Sequence, residues 1–192
     1  MAQQGINFLL RNIVKDDTIK AIGAATGTNP SQTKTAVKTA LPEFITALSK
    51  NCETKSGAQA LTTALDDHDG SLLGNLFGTI KNKETQTDGE KILGHVFGGG
   101  ESDIITNIAS KAGISQAQAG GVLQTVAPLV METLGKTKLA QGLDSNGITS
   151  VLSDLINGGS LLGFLDQNKD GDIKDDIFGW IINWIKSLFI KQ

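Results

Sequence analysis

With 192 residues, 39% of them hydrophobic and 19% charged, the chain has the content of a soluble globular protein built on one large core or two small ones. A net charge of −3 gives no bulk attraction to nucleic acid or anionic lipid, and no stretch reaches the roughly 20 apolar residues of a spanning helix. The single cysteine, Cys52, has no internal disulfide partner, and no basic residue precedes the short apolar run Ile6, Phe8, Leu9, Leu10; both suit a cytoplasmic protein without a secretory signal.

Ile6, Leu9, Leu10, Ile13 and Val14 recur at helical spacing and predict a first amphipathic helix over residues 5–15. Asp16 and Asp17 offer N-cap chemistry for a second helix over 18–26, which Gly27 stops. Asn29, Pro30 and Ser31 open a long striped helix, with proline where its missing N–H costs nothing. Pro42 lies inside that helix, where a proline costs on the order of 3 kcal/mol, so a kink or break is expected there and again at Pro128. A polar loop and a short helix ending near Leu65 follow, then the run from Asp66 to Gly78. Residues 81–88 are charged, lack an apolar period and read as an exposed loop. Asp88 is expected to cap a helix through Ile92, Leu93, Val96 and Phe97, ended by Gly98, Gly99 and Gly100. Further helices are expected over 103–112, from the turn at Gly113 to Leu134, and over 147–157. With no convincing period-2 segment, the expected fold class is all-α.

The chain writes one stretch twice. Residues 103–136 lie on residues 17–50 without a gap at an offset of 86 (103 minus 17), matching Gly27 with Gly113, Gln32 with Gln118 and Pro42 with Pro128. The stripe Ala36, Val37, Ala40, Leu41, Phe44, Ile45, Leu48 maps onto Val122, Leu123, Val126, Ala127, Val130, Met131, Leu134. Gly-Ser-Leu-Leu-Gly recurs at 70–74 and 159–163. The expected organisation is a duplicated helical bundle: a first half over 1–86, a second over 87–165 sharing its core, an aspartate-rich loop over 166–176 and an apolar helix over 177–192. Identical stripes bury best against one another, so Leu41 and Ala127, and Phe44 and Val130, are expected in equivalent buried positions.

Three groups of residues bear on chemistry. Ile108 to Val122, with Gly113 in the turn, has the spacing of a helix-turn-helix, but its second helix opens on Gln116, Ala117, Gln118 and Ala119 in acidic surroundings, which suits helix packing better than DNA. His68, among Asp66, Asp67 and Asp69, and His95 are the only histidines; with the carboxylates they would make a metal or acid–base site if they converge. The plainer reading has the aspartates capping a helix, His68 solvated at its start and His95 on a helix end. Gly98 to Asp103 lacks the lysine of a phosphate cradle.

The third group, Asp166 to Ile173, is the most specific. Asp166, Asn168 and Asp170 stand at loop positions 1, 3 and 5, with Gly171 at 6 for the sharp turn, as in an EF-hand loop that wraps calcium. Position 12 is Ile177 rather than glutamate, so Asp172 is expected to contribute its backbone oxygen and Asp175 or Asp176 a carboxylate, at dissociation constants of about 10⁻⁴ to 10⁻³ M.

The run from Ala64 to Leu72 and the run from Asp88 to Gly98, together with the Gly-Ser-Leu-Leu-Gly segments and the turn at Ala127, Pro128 and Leu129, resemble the YidB-like bacterial family, catalogued as domain of unknown function 937. The resemblance spans about residues 17–176. It implies a helical fold with a homeodomain-like arrangement and no established activity, so no catalytic residue carries over.

The tail after Asp176 is apolar on most of its circumference through Ile177, Trp180, Ile181, Trp184, Ile185, Leu188 and Phe189, and needs cover. The parent domain and another copy of the chain are the leading covers, and Trp180 and Trp184 one turn apart are the rigid anchors interfaces favour. With only Lys186 and Lys191 as basic neighbours, a membrane surface ranks third. The expected function is thus a non-enzymatic interaction or assembly protein with a weak calcium loop, acting as a homo-oligomer or on a protein partner. A DNA-binding regulator is the alternative, and a metal-dependent enzyme at His68 comes third.

Overall fold

Capping chemistry sets most helix boundaries in the computed structural model, which describes residues 13–71, 76–80 and 82–157. The helices are α1 (Asp16–Thr26), α2 (Pro30–Asn51), α3 (Lys55–Ala64), α4 (Leu76–Ile80), α5 (Lys83–Phe97), α6 (Glu101–Ala112), α7 (Gln116–Gln141) and α8 (Ser145–Asn157), with a 3₁₀ turn over Leu65–Asp67. No strand occurs among the described residues, and the all-α expectation holds. None of these helices is long and apolar enough to cross a membrane. The expected first helix lies almost wholly outside the described residues. So do both leucine pairs of the Gly-Ser-Leu-Leu-Gly segments, the calcium-type loop with Asp166, Asn168, Asp170, Asp172, Asp175 and Asp176, and the apolar tail with Trp180, Ile181, Trp184, Ile185, Leu188 and Phe189.

The long helices α2 and α7 begin in the same way. Asn29 Oδ1 accepts from the Gln32 N–H at 2.9 Å while Gln32 Oε1 accepts from the Asn29 N–H at 3.2 Å. Ser115 and Gln118 repeat this capping box at 3.2 and 3.0 Å. Before each box the preceding helix ends on a left-handed glycine, Gly27 at φ 68° and Gly113 at φ 61°, a conformation that only glycine adopts without strain. Each box then reaches across: Gln32 Nε2 donates to the Gly113 carbonyl at 3.0 Å, and Gln118 Nε2 donates to the Gly27 carbonyl at 2.8 Å. Reciprocal contact between positions 86 apart is the pattern an approximate two-fold axis generates.

The stripes form the core. Ala36, Val37, Ala40, Leu41, Phe44, Ile45 and Leu48 are buried, and so are their counterparts Val122, Leu123, Val126, Ala127, Val130, Met131 and Leu134. Each large member contributes about 1.5–3 kcal/mol of hydrophobic stabilisation. Phe44 adds an edge-on contact with the Phe97 ring, centroids 5.8 Å apart and planes at 75°. Around this pair, α5 lies on α7, α6 on α2 and α7, and α8 on α2 and α3.

Of the kink or break expected at each proline, the break does not occur, since α2 and α7 continue through Pro42 and Pro128. Both rings are buried among the stripe residues, so packing offsets the lost hydrogen bond. The carbonyl that Pro128 leaves without its helical donor is that of Gln124, and α5 comes close to it. A Cβ placed on Gly89 would stand 2.2 Å from it, a distance only glycine permits. Gln124 Nε2 then donates to the Gln86 carbonyl and to Glu90, each at 2.9 Å.

Three helix ends differ from expectation. Asp16 and Asp17 lie inside the first turn of α1, where they complement the helix dipole; the N-cap position is Lys15, which makes no side-chain cap. The exposed loop expected over 81–88 is helical from Lys83, because Asn82 caps it by accepting from the Glu84 N–H at 3.1 Å; Asp88 is an interior residue. An exposed first turn needs no apolar period, which is why periodicity missed it. Finally α7 continues past Leu134 to Gln141, where Gly142 in the left-handed region ends it. Thr137 stays buried and Lys138 is anchored by an ion pair with Asp66 and a 3.0 Å bond to the Thr62 carbonyl.

Candidate functional site

The 3₁₀ turn after α3 is drawn into the molecule by Leu65, which is fully buried, and its carbonyl takes the His68 N–H at 3.3 Å. That carries His68 inward. Far from being solvated, it is 9% exposed and sits against α7, where its Nδ1 lies 3.2 Å from Oε1 of the still more deeply buried Glu132. A carboxylate accepts, so Nδ1–H donates. Asp69, beyond the turn, accepts from the Ser71 N–H at 2.8 Å, and this bond holds its carboxyl below the usual range.

His95 occupies the last turn of α5, as expected, and is exposed there. Its Nδ1 lies 2.8 Å from the Lys91 carbonyl, an obligate acceptor, so Nδ1–H donates here too. Both rings are therefore held with Nδ1 as donor, and in the neutral ring Nε2 is the acceptor.

His68 and His95 line one cavity of about 670 Å³ between α2, α3, α5 and α7. Leu48, Leu61, Ile92, Val96 and Met131 form apolar walls, and Asn51, Asp67, Asp88, Lys91 and Glu132 add polar groups. The size and the mix of apolar wall with a few polar groups match a small-molecule site. Asn51 is itself oriented, donating from Nδ2 to the Val96 carbonyl at 3.1 Å. His68 and His95 thus border the same space. Among the described residues, however, no three His, Cys, Asp or Glu side chains assemble into a metal-holding group.

A second cavity, of about 760 Å³, lies beyond His95 and Val96 and is bordered by Glu43, Asp103 and Asn107. Burial pushes the Glu43 carboxyl up to about 7, against the opposing pull of Lys111 and a hydrogen bond from Asn107. Burial likewise raises the Cys52 thiol, which a hydrogen bond with Thr149 partly counters.

The glutamines that a helix-turn-helix would offer to bases are engaged inside the protein. Gln118 serves the capping box and the Gly27 carbonyl, and Gln116 Nε2 lies 3.3 Å from the Thr106 hydroxyl. Sequence reasoning passed over Glu132, Asn51, Asp88 and Lys91. Glu132 alone left a signal, a charge between Met131 and Leu134 on the apolar stripe of a long helix.

The fold is thus that of an all-α protein whose paired long helices carry a cavity with two oriented histidines. The chain belongs to the family described as bacterial protein of unknown function (DUF937), whose model matches residues 9–137. Neither the curated proteins nor the solved structures contain a significant match to it.

Proposed function

We propose that the protein is a non-enzymatic helical interaction protein of the cytoplasm and that the cavity at His68 is its binding element. The observation that carries this reading is the meeting of apolar walls from four helices with oriented polar groups in one space of about 670 Å³. The two matching helix pairs, with their reciprocal glutamine bonds, are the scaffold, which we read as an internal duplication. Nile red, a neutral apolar dye, tests it: fluorescence should rise on binding to the full chain and should be lost when Ala60→Trp fills the space from α3. Equal fluorescence in the two proteins would reject the cavity as a binding element.

The remainder of the proposal concerns the aspartate-rich loop and the tail. Calcium is held weakly by Asp166, Asn168, Asp170 and Asp172 with Asp175 or Asp176, and the helix that follows drives self-association through Trp180, Trp184, Leu188 and Phe189. Light scattering with calcium and then with chelator should show a larger species in calcium, and deletion of residues 177–192 should leave a folded, more soluble monomer. If the full chain is monomeric at high concentration in both conditions, assembly through the tail is wrong.

A second reading has one specific observation in its favour. The buried His68–Glu132 pair is the arrangement of an oriented general base, with the carboxylate fixing the ring.

A further inference from the structure

Acceptors predominate among the polar groups around the cavity, with two histidines, Asp67, Asp88 and Glu132 against Lys91, Ser71 and the amide of Asn51. Nδ1 of His68 is committed to Glu132 and Nδ1 of His95 to the Lys91 carbonyl, which leaves the two Nε2 atoms without a hydrogen-bond partner among the described residues. Asn51 gives one of its two amide N–H groups to the Val96 carbonyl, which keeps Oδ1 available as an acceptor. Asp67 and Asp88 add two carboxylates. Lys91, the single lysine among the lining residues described, is exposed on α5, where its flexible stem lets the ammonium stay in water. A neutral imidazole nitrogen, an amide oxygen and a carboxylate all take donors, so acceptors bordering an apolar space favour a ligand that supplies them.

We infer that the cavity binds an amphiphilic organic cation, its apolar body against Leu61, Ile92 and Met131 and a primary ammonium or guanidinium directed at the acceptors of His68, His95 and Asp88. The inference rests on the reading of the cavity as a binding element and specifies its ligand class. An ammonium offers three donors in different directions, which matches acceptors arriving from the turn after α3 and from α5. An anion would meet Asp67 and Asp88 with no fixed cation opposite, and would be excluded.

Three isosteric probes decide it on the full chain by calorimetry: 4-phenylbutylamine, 4-phenyl-1-butanol and 4-phenylbutyrate. The amine should bind about tenfold more tightly than the alcohol, and the carboxylate most weakly. In the double variant Asp88→Asn, His95→Leu, both at positions outside the buried core, the amine should lose most of that advantage while the alcohol keeps its affinity. Thermal melting of the variant checks that the fold is retained. If amine and alcohol bind equally, or the carboxylate binds best, the cavity is a binding element but the cationic ligand class is wrong. If Ala60→Trp leaves the binding of all three probes unaltered, the reading of the cavity fails along with it. If the double variant retains the full tenfold preference, selection by these acceptors is overturned.

Discussion

Gly135→Ala should be among the most destabilising single substitutions in the chain, at or above the upper end of the about 1–3 kcal/mol that overpacking costs. A Cβ at this position would lie 1.7 Å from the His68 carbonyl oxygen and 2.8 Å from that of Leu65. Both are backbone atoms, of the 3₁₀ turn and of the residue that follows it, so no side-chain rotation relieves the clash. The turn itself must retreat from α7, and His68 moves away from Glu132 with it. Urea unfolding of Gly135→Ala beside Gly94→Ala makes the test internal. Nothing lies within 4 Å of a Cβ on Gly94, a helix-interior residue of α5, so alanine there should stabilise by up to about 1 kcal/mol through helix propensity. Opposite signs for the same substitution are the expected result; two similar values would mean that the close approach of α7 to the turn is wrong.

Stability should also decline as pH rises from about 4.5 to about 7, because of Glu43. Its carboxyl is buried on α2, and burial raises it from the ordinary 4.5 to about 7 in the folded state. In the unfolded chain it loses its proton near 4.5 while the folded protein still holds it, so the folded state binds more protons across that window. The contribution is fully present below 4.5 and is lost as pH climbs through 7, amounting in full to roughly 3 kcal/mol at about 1.4 kcal/mol per pH unit. Glu43→Gln keeps the shape and the hydrogen-bonding capacity toward Asn107 but cannot ionise. It should flatten this part of the stability profile and make the protein more stable than the wild type at pH 8. Denaturant melts at intervals across the window measure this directly, and parallel profiles for the two proteins would show that Glu43 ionises freely.

The helices, their stripes and most of their ends were legible in the residues because each depends on neighbours within one or two turns. A stripe at positions i, i+3, i+4 and i+7 specifies which face of α2 is buried whatever covers it, and all seven members of each stripe are buried. Asn29 with Gln32, and Ser115 with Gln118, mark helix starts by bonds that close within four residues. Local rules failed where a distant partner intervened. Pro42 and Pro128 read as breaks from local cost alone, yet the core holds both helices continuous. Residues 83–88 have no stripe and were helical because of a cap and the neighbouring α7, to which Gln124 ties them.

By itself, then, the sequence determined an all-α chain, the two matching helix pairs with their glycine turns, and the membership in an unknown-function family, since capping, periodicity and motif are properties of short stretches. Only the tertiary structure decided that there is a cavity and what faces it. His68 and Glu132 are 64 positions apart, and the local pattern around His68, three aspartates and a glycine, describes an exposed turn. What buries the ring is Leu65 anchoring the turn and Gly135 admitting its backbone against α7. Periodicity carries no information about such long-range contacts, because the free energy that places them comes from packing whole helices against one another.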